Sequence, residues 1–391
     1  PDEKFQPSFD IQDYEEFPAK ATGNNQFTAS PSINDWYETV KLNYGINFFD
    51  NNTYHFNPIP DTWVKMKEIL SFWAEKGVNG FRCDMAEMVP VEFWEWVIPQ
   101  IKVIFPSVIF IAEVYNPSLY RDYIYKGQFD YLYDKEHLYD TLRAVITNQT
   151  PAKNITHCWQ AVDDIQPHML RFLENHDEQR ISSVFFAENP EKAIPAMIVC
   201  ATLSTSPVMI YFGQELGESG MDEEGFSGRD GRTSIFDYWQ VSSIEKWRNN
   251  NTFDESQLSI SQKQLRSFYK KLFHLCLKEK AIYEGTMYDL VWANENNTNF
   301  NPEKQFLFFR KKDKDLLLIA VNFDEKESVI KIKIPTHAID FLQIKSNQLY
   351  KGIDLLSDTP TSSNFTLSSD KKMMLTLPPY SGKILKLSPK E

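Results

Sequence analysis

Three apolar segments of this sequence each end in an acidic residue. Asp84 closes "NGFRCD", Glu113 closes "VIFIAE" and Asp177 closes "RFLENHD". A single acid in such a place has an ordinary explanation, since it can cap the helix that follows. Three in succession are better explained by a site, because the carboxyl ends of parallel strands meet on one face of a barrel. The sequence therefore predicts a catalytic centre made of carboxylates.

The neighbours of Asp84 and Glu113 predict contrasting protonation states. Arg82 and Asp84 share one face of a strand, because side chains alternate with a period of two. A guanidinium there favours the ionised form of Asp84, which suits a nucleophile. Glu113 follows the apolar run "VIFIA" and has no basic neighbour in the sequence. We expect burial to keep it protonated, which suits a general acid, and a glycosidase uses such a pair of carboxyl groups.

The segment "ENHD" adds Asn175 and His176 to the candidate residues. In an ideal strand, Asn175 and Asp177 face one way and His176 faces the other. A residue at the rim of a sheet need not keep that alternation, so His176 stays a candidate for ligand binding, although a lone histidine is more often structural. Tyr115, two residues past Glu113, is a candidate for stacking on a sugar ring.

Helices and apolar strands alternate between residues 61 and 282. The spacing of apolar residues predicts a first helix with Asp61 as its N-cap and Gly77 as its stop. Continuous apolar strands between helices are typical of parallel strands covered on both faces, so we expect an α/β sheet or barrel. Residues 283–391 alternate apolar and polar side chains and predict an antiparallel β-sandwich. Residues 1–60 are polar and aromatic with little periodicity.

The order of the motifs resembles that of the α-amylase family of glycoside hydrolases. That family carries "GFRxD", a glutamate and "NHD" on its fourth, fifth and seventh barrel strands. This sequence has "GFRCD" at 80–84, "AEV" at 112–114 and "NHD" at 175–177. "VKLNYG" is similar to the family's short motif near the end of its inserted B domain, and "LPPYSGKILKL" is similar to part of its C domain. The resemblance implies a retaining enzyme that acts on α-linked glucans.

The resemblance also implies a role for each matching residue. Asp84 corresponds to the nucleophile that forms the covalent glycosyl intermediate, and Glu113 corresponds to the acid/base. Asp177 corresponds to the group that binds hydroxyls of the distorted sugar and stabilises the transition state. Arg82 and His176 match positions that hold the nucleophile and the bound glucose. The predicted substrate-binding residues are Arg82, Asn175, His176 and Tyr115.

The fold implied by the resemblance is a (β/α)8 TIM barrel followed by a C-terminal β-sandwich. The family's first three barrel strands have no counterpart in residues 1–60, which resemble the remainder of a B domain. We therefore expect this chain to supply strands 4 to 8, with the other strands lying upstream or supplied by another chain. Residues 61–282 then form the catalytic portion, and residues 283–391 form the C-terminal domain.

Composition and charge narrow the possible partners. The balance of 41 basic against 54 acidic residues gives a net charge of −13, which disfavours nucleic acid. The most apolar stretch, 193–213, is interrupted by Pro207 and hydroxyl side chains, so no membrane-spanning segment is expected.

The expected partner is an α-glucan substrate, and the chemistry requires no cofactor. A structural calcium ion is compatible with the family, but Asp10, Asp13 and Asn43 lack a recognisable ligand spacing. The family's external substrates favour a secreted or periplasmic location over a cytoplasmic one.

Three alternative functions stay open at this point. Transglycosylation, or specificity for a disaccharide, uses the same intermediate and differs in the acceptor or the substrate. An inactive relative that binds glucans or accompanies a transporter usually lacks one of the three acids. A magnesium-dependent barrel enzyme also places carboxylates at strand ends, but Arg82 beside Asp84 would compete with the cation.

Overall fold

The chain divides into two compact units, Pro1–Leu132 and Tyr133–Glu391, and each is described by itself. The residues that the computed structural model describes are 24, 26, 35, 41–48, 50–236, 238–359 and 362–390. Asp10, Asp13 and most of the predicted segment 1–60 therefore lie outside the described residues. The three predicted domains stay predictions.

The first unit contains a parallel sheet with helices between its strands, as the sequence predicts. Its described helices and strands are β1 Ile46–Asn47, β2 Thr53–Tyr54, α1 Asp61–Glu75, β3 Gly80–Cys83, α2 Val91–Ile104, β4 Ile109–Ala112 and β5 Tyr131–Tyr133, whose last residue belongs to the second unit. β4 pairs in parallel with both β3 and β5. The register places Cys83 opposite Ala112, and Ala112 opposite Leu132. The carboxyl ends of the three strands therefore lie at one edge of the sheet.

The contact between β3 and β4 depends on a glycine. A Cβ atom at Gly80 would lie 2.5 Å from the Ile109 side chain and 2.7 Å from its carbonyl oxygen, so a larger residue would push the strands apart. Gly77, with a φ of +92°, follows the end of α1 and ends the helix as predicted. The prediction of Asp61 as N-cap is wrong, because the extended backbone of Pro60 occupies the cap position and Asp61 is the first helical residue.

Aromatic side chains fill the core of the first unit. The Trp63 and Phe93 rings meet edge to face at 5.6 Å, and Trp94 meets Phe129 in the same way at 4.9 Å. Phe93, Phe110 and Phe129 are almost completely buried. Such packing fixes α1 and α2 against the sheet and so fixes the strand ends that carry the acids.

The second unit contains short helices, a little parallel β-structure and a large antiparallel region. Its helices are α3 Asp140–Ile146, α4 Ile155–Ala161, α5 Ile194–Thr202, α6 Ser242–Arg248, α7 Ile260–Lys278, α8 Lys280–Tyr283, α9 Val291–Asn294 and α10 Thr336–Phe341. Its strands are β6 Met169–Leu170, β7 Thr286–Asp289, β8 Gln305–Lys312, β9 Asp315–Asn322, β10 Ser328–Ile332, β11 Gln348–Asp354, β12 Ser362–Leu367, β13 Met373–Leu377 and β14 Ser381–Pro389. A search of the described residues finds no helix whose length and hydropathy suit a membrane crossing.

The antiparallel structure predicted after residue 283 is confirmed. One sheet has six strands in the order β12-β11-β14-β9-β8-β7, and a second pairs β10 with β13. Buried side chains of both sheets, such as Phe308 and Leu375, belong to one hydrophobic core. α5 is buried along its whole length and contributes to the same core. Its Ile198 side chain lies so close to Gly382 of β14 that a Cβ there would be 2.7 Å away.

The strand predicted to end at Asp177 is shorter than expected. β6 covers only Met169–Leu170, and Arg171 then forms an isolated parallel bridge with Val208. Of the apolar segment 206–213, Val208 alone takes part in β-structure, through that bridge. The backbone bends after it because Asn175 Oδ1 accepts the amide hydrogens of Asp177 and Glu178, at 2.9 and 2.8 Å. A side chain that binds the following amides in this way competes with strand pairing.

Candidate active site

Asp84 and Glu113 are the first residues beyond two neighbouring strands. Asp84 follows β3 and Glu113 follows β4, and the Glu113 amide donates to the Cys83 carbonyl oxygen at 3.1 Å. The parallel register therefore continues to the two acids and places them opposite each other. The structure brings together the residue pair that sequence analysis assigns to the chemistry.

Arg82 joins the two acids. One guanidinium nitrogen, Nη1, contacts Asp84 Oδ1, and the other, Nη2, lies 2.9 Å from Glu113 Oε1. Sequence analysis predicts the first contact and misses the second. The register contains the missing signal, because Arg82 pairs with Ile111 and both acids lie two residues further along their strands. One cation thus holds both carboxyl groups at a fixed spacing.

The two carboxyl groups differ sharply in exposure. The Glu113 side chain is 2% exposed, whereas that of Asp84 is 71% exposed. Glu113 also accepts hydrogen bonds from the Tyr115 hydroxyl at 2.6 Å and from the Met85 amide at 2.9 Å. The predicted burial of Glu113 is observed, but its partners are three donors rather than an apolar surface. Asp84 is open to a ligand, and Glu113 is held in a fixed orientation.

The turn after Asp84 carries strain. Met85 has φ 41° and ψ 45°, a left-handed conformation that bulky residues rarely adopt. This conformation accompanies the hydrogen bond from its amide to Glu113. Glu87, in the same turn, accepts the amides of Tyr115 and Asn116 through Oε2, at 3.2 and 2.9 Å. Sequence analysis did not identify Met85 or Glu87, whose roles depend on backbone geometry rather than on residue type.

Cys83 lies between Arg82 and Asp84 in the sequence but takes no part in their contacts. Desolvation raises the pKa of its thiol to about 12, although the nearby Arg82 opposes the rise. The thiol therefore stays neutral and poorly nucleophilic at ordinary pH. This agrees with the interpretation of Cys83 as a packing residue.

Asn175, His176 and Asp177 form a second cluster, in the second unit. His176 Nε2 lies 3.1 Å from Asp177 Oδ2, so the two side chains do not keep the alternation of an ideal strand. Asn175 is 2% exposed, and its side chain shapes the turn. The Asp177 side chain is 33% exposed, and its carbonyl oxygen accepts a hydrogen bond from Arg232 Nε at 2.6 Å.

A buried ion pair, Glu174–Arg180, stabilises the loop that contains Asp177. Glu174 Oε2 lies 2.8 Å from Arg180 Nη1, and Glu174 Oε1 accepts the Ile181 amide at 2.7 Å. Arg180 Nε in turn donates to the Thr233 hydroxyl at 3.0 Å. Burial raises the pKa of Glu174, and Arg180 opposes the rise. The loop that carries Asp177 is thus positioned by polar side chains rather than by strand pairing.

Metal binding receives no support from the described part of the chain. There, no group of three or more His, Cys, Asp or Glu side chains is arranged to hold a metal ion. Asn43, which lies in the region considered for calcium, accepts the Gly45 amide at 2.8 Å.

Comparison with known proteins identifies the family. The family described as "Alpha amylase, catalytic domain" matches residues 12–332, which is more than half of the chain. The chain belongs to the α-amylase family of glycoside hydrolases. Its resemblance to that family, inferred above from three short motifs, is thereby confirmed.

Two curated relatives of this α-amylase-family chain carry different activities in their names. Alpha-amylase 3 of Dictyoglomus thermophilum is 26% identical over 348 residues, covering 75% of this chain and 62% of the relative. An alpha-1,4-glucan:maltose-1-phosphate maltosyltransferase of Cereibacter sphaeroides is 25% identical over 226 residues, covering 55% of this chain and 36% of the relative. The chain therefore spans less than two thirds of the length of either relative.

A solved structure confirms the fold class. The α-amylase of Anoxybacillus superimposes with a TM-score of 0.63 at 18% identity, covering 86% of this chain and 65% of that one. The predicted TIM barrel with C-terminal β-structure is confirmed at that level.

Proposed function

We propose that this α-amylase-family chain carries the catalytic residues of an enzyme that hydrolyses α-1,4-glucosidic bonds with retention. The observation that supports the proposal is the Arg82 bridge between an exposed Asp84 and a buried Glu113. A retaining glycosidase needs one carboxylate free to attack and a second carboxyl group held beside the leaving oxygen. The pair after β3 and β4 meets both requirements.

The first step forms a glycosyl-enzyme ester. An Asp84 carboxylate oxygen attacks the anomeric carbon, the bond from that carbon to the leaving oxygen breaks, and Glu113 gives its proton to that oxygen. Glu113 Oε1 accepts the Tyr115 hydroxyl and lies 2.9 Å from the Arg82 guanidinium. Oε2 accepts the Met85 amide and pairs with no cation among the described residues, so Oε2 is the oxygen better suited to carry the proton. Arg82 contacts both carboxyl groups and so orients them relative to each other.

The second step releases the sugar. Glu113, now ionised, removes a proton from a water molecule, the water oxygen attacks the anomeric carbon, and the bond to Asp84 breaks. Each of the two steps inverts the configuration of the anomeric carbon, so the product keeps the α configuration of the substrate. Asp177 binds hydroxyl groups of the distorted sugar in this proposal, and His176 and Tyr115 contact the bound glucose. The roles of Asp177 and His176 rest on family membership, and that of Tyr115 rests on its position two residues past Glu113.

Product analysis tests the proposal. Maltoheptaose is incubated with the protein at its full natural length, and the products are separated by anion-exchange chromatography while their anomeric form is followed by NMR. The expected products are shorter maltooligosaccharides that first appear as the α anomer. First appearance of the β anomer would contradict retention, and absence of turnover would favour the inactive glucan-binding alternative.

Transfer to a sugar acceptor is the second candidate reaction. The match to the maltosyltransferase of Cereibacter sphaeroides favours it, since that name specifies a transfer. The covalent intermediate is the same, and only the attacking hydroxyl differs. Products longer than maltoheptaose would identify transfer in the same experiment, whereas hydrolysis yields shorter chains alone.

A further inference from the structure

A cleft of about 760 Å³ lies within the second unit, and no residue assigned to the chemistry lines it. Its lining comes from α4, β7, β8, α10 and neighbouring loops, and it includes none of the residues of the two acidic clusters. The volume is within the range of small-molecule sites. The cleft is therefore a candidate for a binding function that the reaction does not use.

Aromatic rings at the cleft are held in place but left uncovered. The Tyr288 hydroxyl bonds His337 Nδ1 at 2.8 Å, and the His337 ring stacks on Phe341 with an interplanar angle of 12°. Phe341 is nevertheless 54% exposed, and Trp292 is 55% exposed. Rings that the protein fixes without covering are preorganised to receive a flat apolar ligand face.

A buried carboxylate fixes another aromatic residue of the cleft. Asp289 Oδ2 accepts hydrogen bonds from the Trp159 indole at 2.9 Å and from the Thr156 hydroxyl at 2.6 Å. Asp289 Oδ1 accepts the Val291 amide at 2.7 Å, and the residue is only 5% exposed. These acceptor contacts of Asp289 all go to protein donors. They connect Asp289 of β7 to Thr156 and Trp159 of α4 and so hold the Trp159 ring in place.

The charges of the cleft disfavour an anion. Asp163 and Asp289 both line it. The buried Arg310 also lines it, but its guanidinium donates to three backbone carbonyl oxygens. Polar side chains that line the cleft and make no hydrogen bond to another described residue are Gln160, Thr205 and Thr286. Uncharged donors and acceptors beside exposed rings suit a neutral ligand that has many hydroxyl groups and an apolar ring face.

We propose that this cleft is a second carbohydrate site, which binds an α-linked glucan chain through residues that take no part in the reaction. The class of ligand follows from the lining, and the choice of an α-glucan rests on the proposed function. Trp292 and Phe341 stack on pyranose rings, and Gln160, Thr205 and Thr286 bind hydroxyl groups. Such a site keeps a long polymer attached to the protein between cleavage events.

The test measures binding to insoluble starch in the cold. The full-length protein carries Asp84→Asn, which suppresses turnover, and depletion from solution gives the affinity. Trp292→Ala with Phe341→Ala should weaken binding about tenfold, because two stacking surfaces are lost. Trp292→Phe alone should keep most of the affinity, since a ring remains. The matched control is Phe253→Ala, which removes a ring that is 49% exposed and lies outside the cleft lining, and it should bind as the parent does.

A loss of less than about threefold in the double variant would overturn the proposal. An equal loss in Phe253→Ala would also overturn it, because the effect would then not be specific to the cleft. Thermal unfolding of each variant shows that the fold is kept. Failure of the proposed function is a separate result, namely no turnover of maltoheptaose by the protein with Asp84 intact, whatever the starch affinity of the cleft variants.

Discussion

The two acidic clusters of this chain are positioned by different kinds of interaction. Asp84 and Glu113 follow paired strands, and one guanidinium, that of Arg82, joins them. Asp177 lies in a bent segment whose shape depends on the Asn175 side chain and on the buried Glu174–Arg180 pair. Backbone pairing therefore sets the geometry of the first cluster, and side-chain hydrogen bonds set that of the second.

The difference has consequences for mutation. In the first cluster the pairing of β3 and β4 uses backbone atoms, so replacement of either acid by its amide should affect chemistry while the sheet persists. In the second cluster the supporting residues are buried and charged, so their replacement should affect stability before chemistry. Substitutions in the two clusters test this contrast.

Asp84→Asn should cause the largest loss. We expect turnover of maltoheptaose to fall by about 10⁴-fold or more, because the attacking carboxylate is removed. The free energy of unfolding should change little, since the Asp84 side chain is 71% exposed. Steady-state kinetics and urea unfolding measure the two quantities. Residual turnover within about tenfold of the parent would show that Asp84 is not the nucleophile.

Glu113→Gln should cause a loss that depends on the leaving group. Turnover of maltoheptaose should fall by about 10²- to 10⁴-fold, because the leaving oxygen is no longer protonated. Turnover of α-maltosyl fluoride should fall much less, since fluoride leaves without a proton from an acid. The comparison of kcat for the two substrates is the measurement. An equal loss on both substrates would assign Glu113 a role other than proton transfer.

Arg180→Met should destabilise the protein by about 3–5 kcal/mol, because it leaves Glu174 buried without its counter-charge. Burial already raises the Glu174 pKa above its ordinary value of 4.5, and loss of Arg180 raises it further. The folded state then holds its proton more tightly than the unfolded state. The contribution of Glu174 to the unfolding free energy therefore falls as pH rises from 4.5 through the raised pKa.

Urea unfolding near pH 5 and near pH 8 measures this effect, and the variant should be less stable at the higher pH. Arg248→Met is the matched control, since Arg248 pairs with Glu245 on the surface and should contribute about 1 kcal/mol or less. Equal stability losses in the two variants would show that the buried Glu174–Arg180 pair contributes no more than a surface pair, and would contradict its role in positioning the second cluster.

Tyr115→Phe should cause the smallest of these effects. It removes the hydroxyl that donates to Glu113 Oε1 at 2.6 Å, while the contacts from Arg82 and Met85 remain. We expect kcat to fall by about three- to tenfold. Tyr54→Phe, which alters a tyrosine that is 66% exposed, is the control and should leave kcat unchanged. A loss as large as that of Glu113→Gln would give Tyr115 a direct part in the reaction.

The same contrast explains what the sequence could predict. Asp84 and Glu113 end apolar runs whose pairing follows from the period of a strand, so their proximity could be predicted. The second contact of Arg82 was available from the register but was missed. The bend before Asp177 could not be predicted from residue periodicity, because it depends on hydrogen bonds from Asn175 to later amides. The left-handed Met85 is contrary to the preference of its residue type.

The fold shows a similar division. The alternation of helices and strands in the first unit and the antiparallel C-terminal sheets were correctly predicted, since both follow from hydrophobic periodicity. The N-cap of α1 was wrongly predicted. Pro60 has a fixed backbone φ and takes the cap position, so the helix begins at Asp61. The cleft lined by Trp159, Trp292 and Phe341 joins residues far apart in the sequence, so no local pattern indicates it.

Trapping of the glycosyl intermediate shows which carboxylate attacks the sugar. The full-length protein is incubated with a 5-fluoro-α-glucosyl fluoride, which slows both chemical steps and lets the ester accumulate, and the labelled peptide is located by mass spectrometry. The account predicts one hexosyl adduct on Asp84, and none in the Asp84→Asn variant. An adduct on another carboxylate, or retaining turnover of maltoheptaose without any adduct on Asp84, would contradict it.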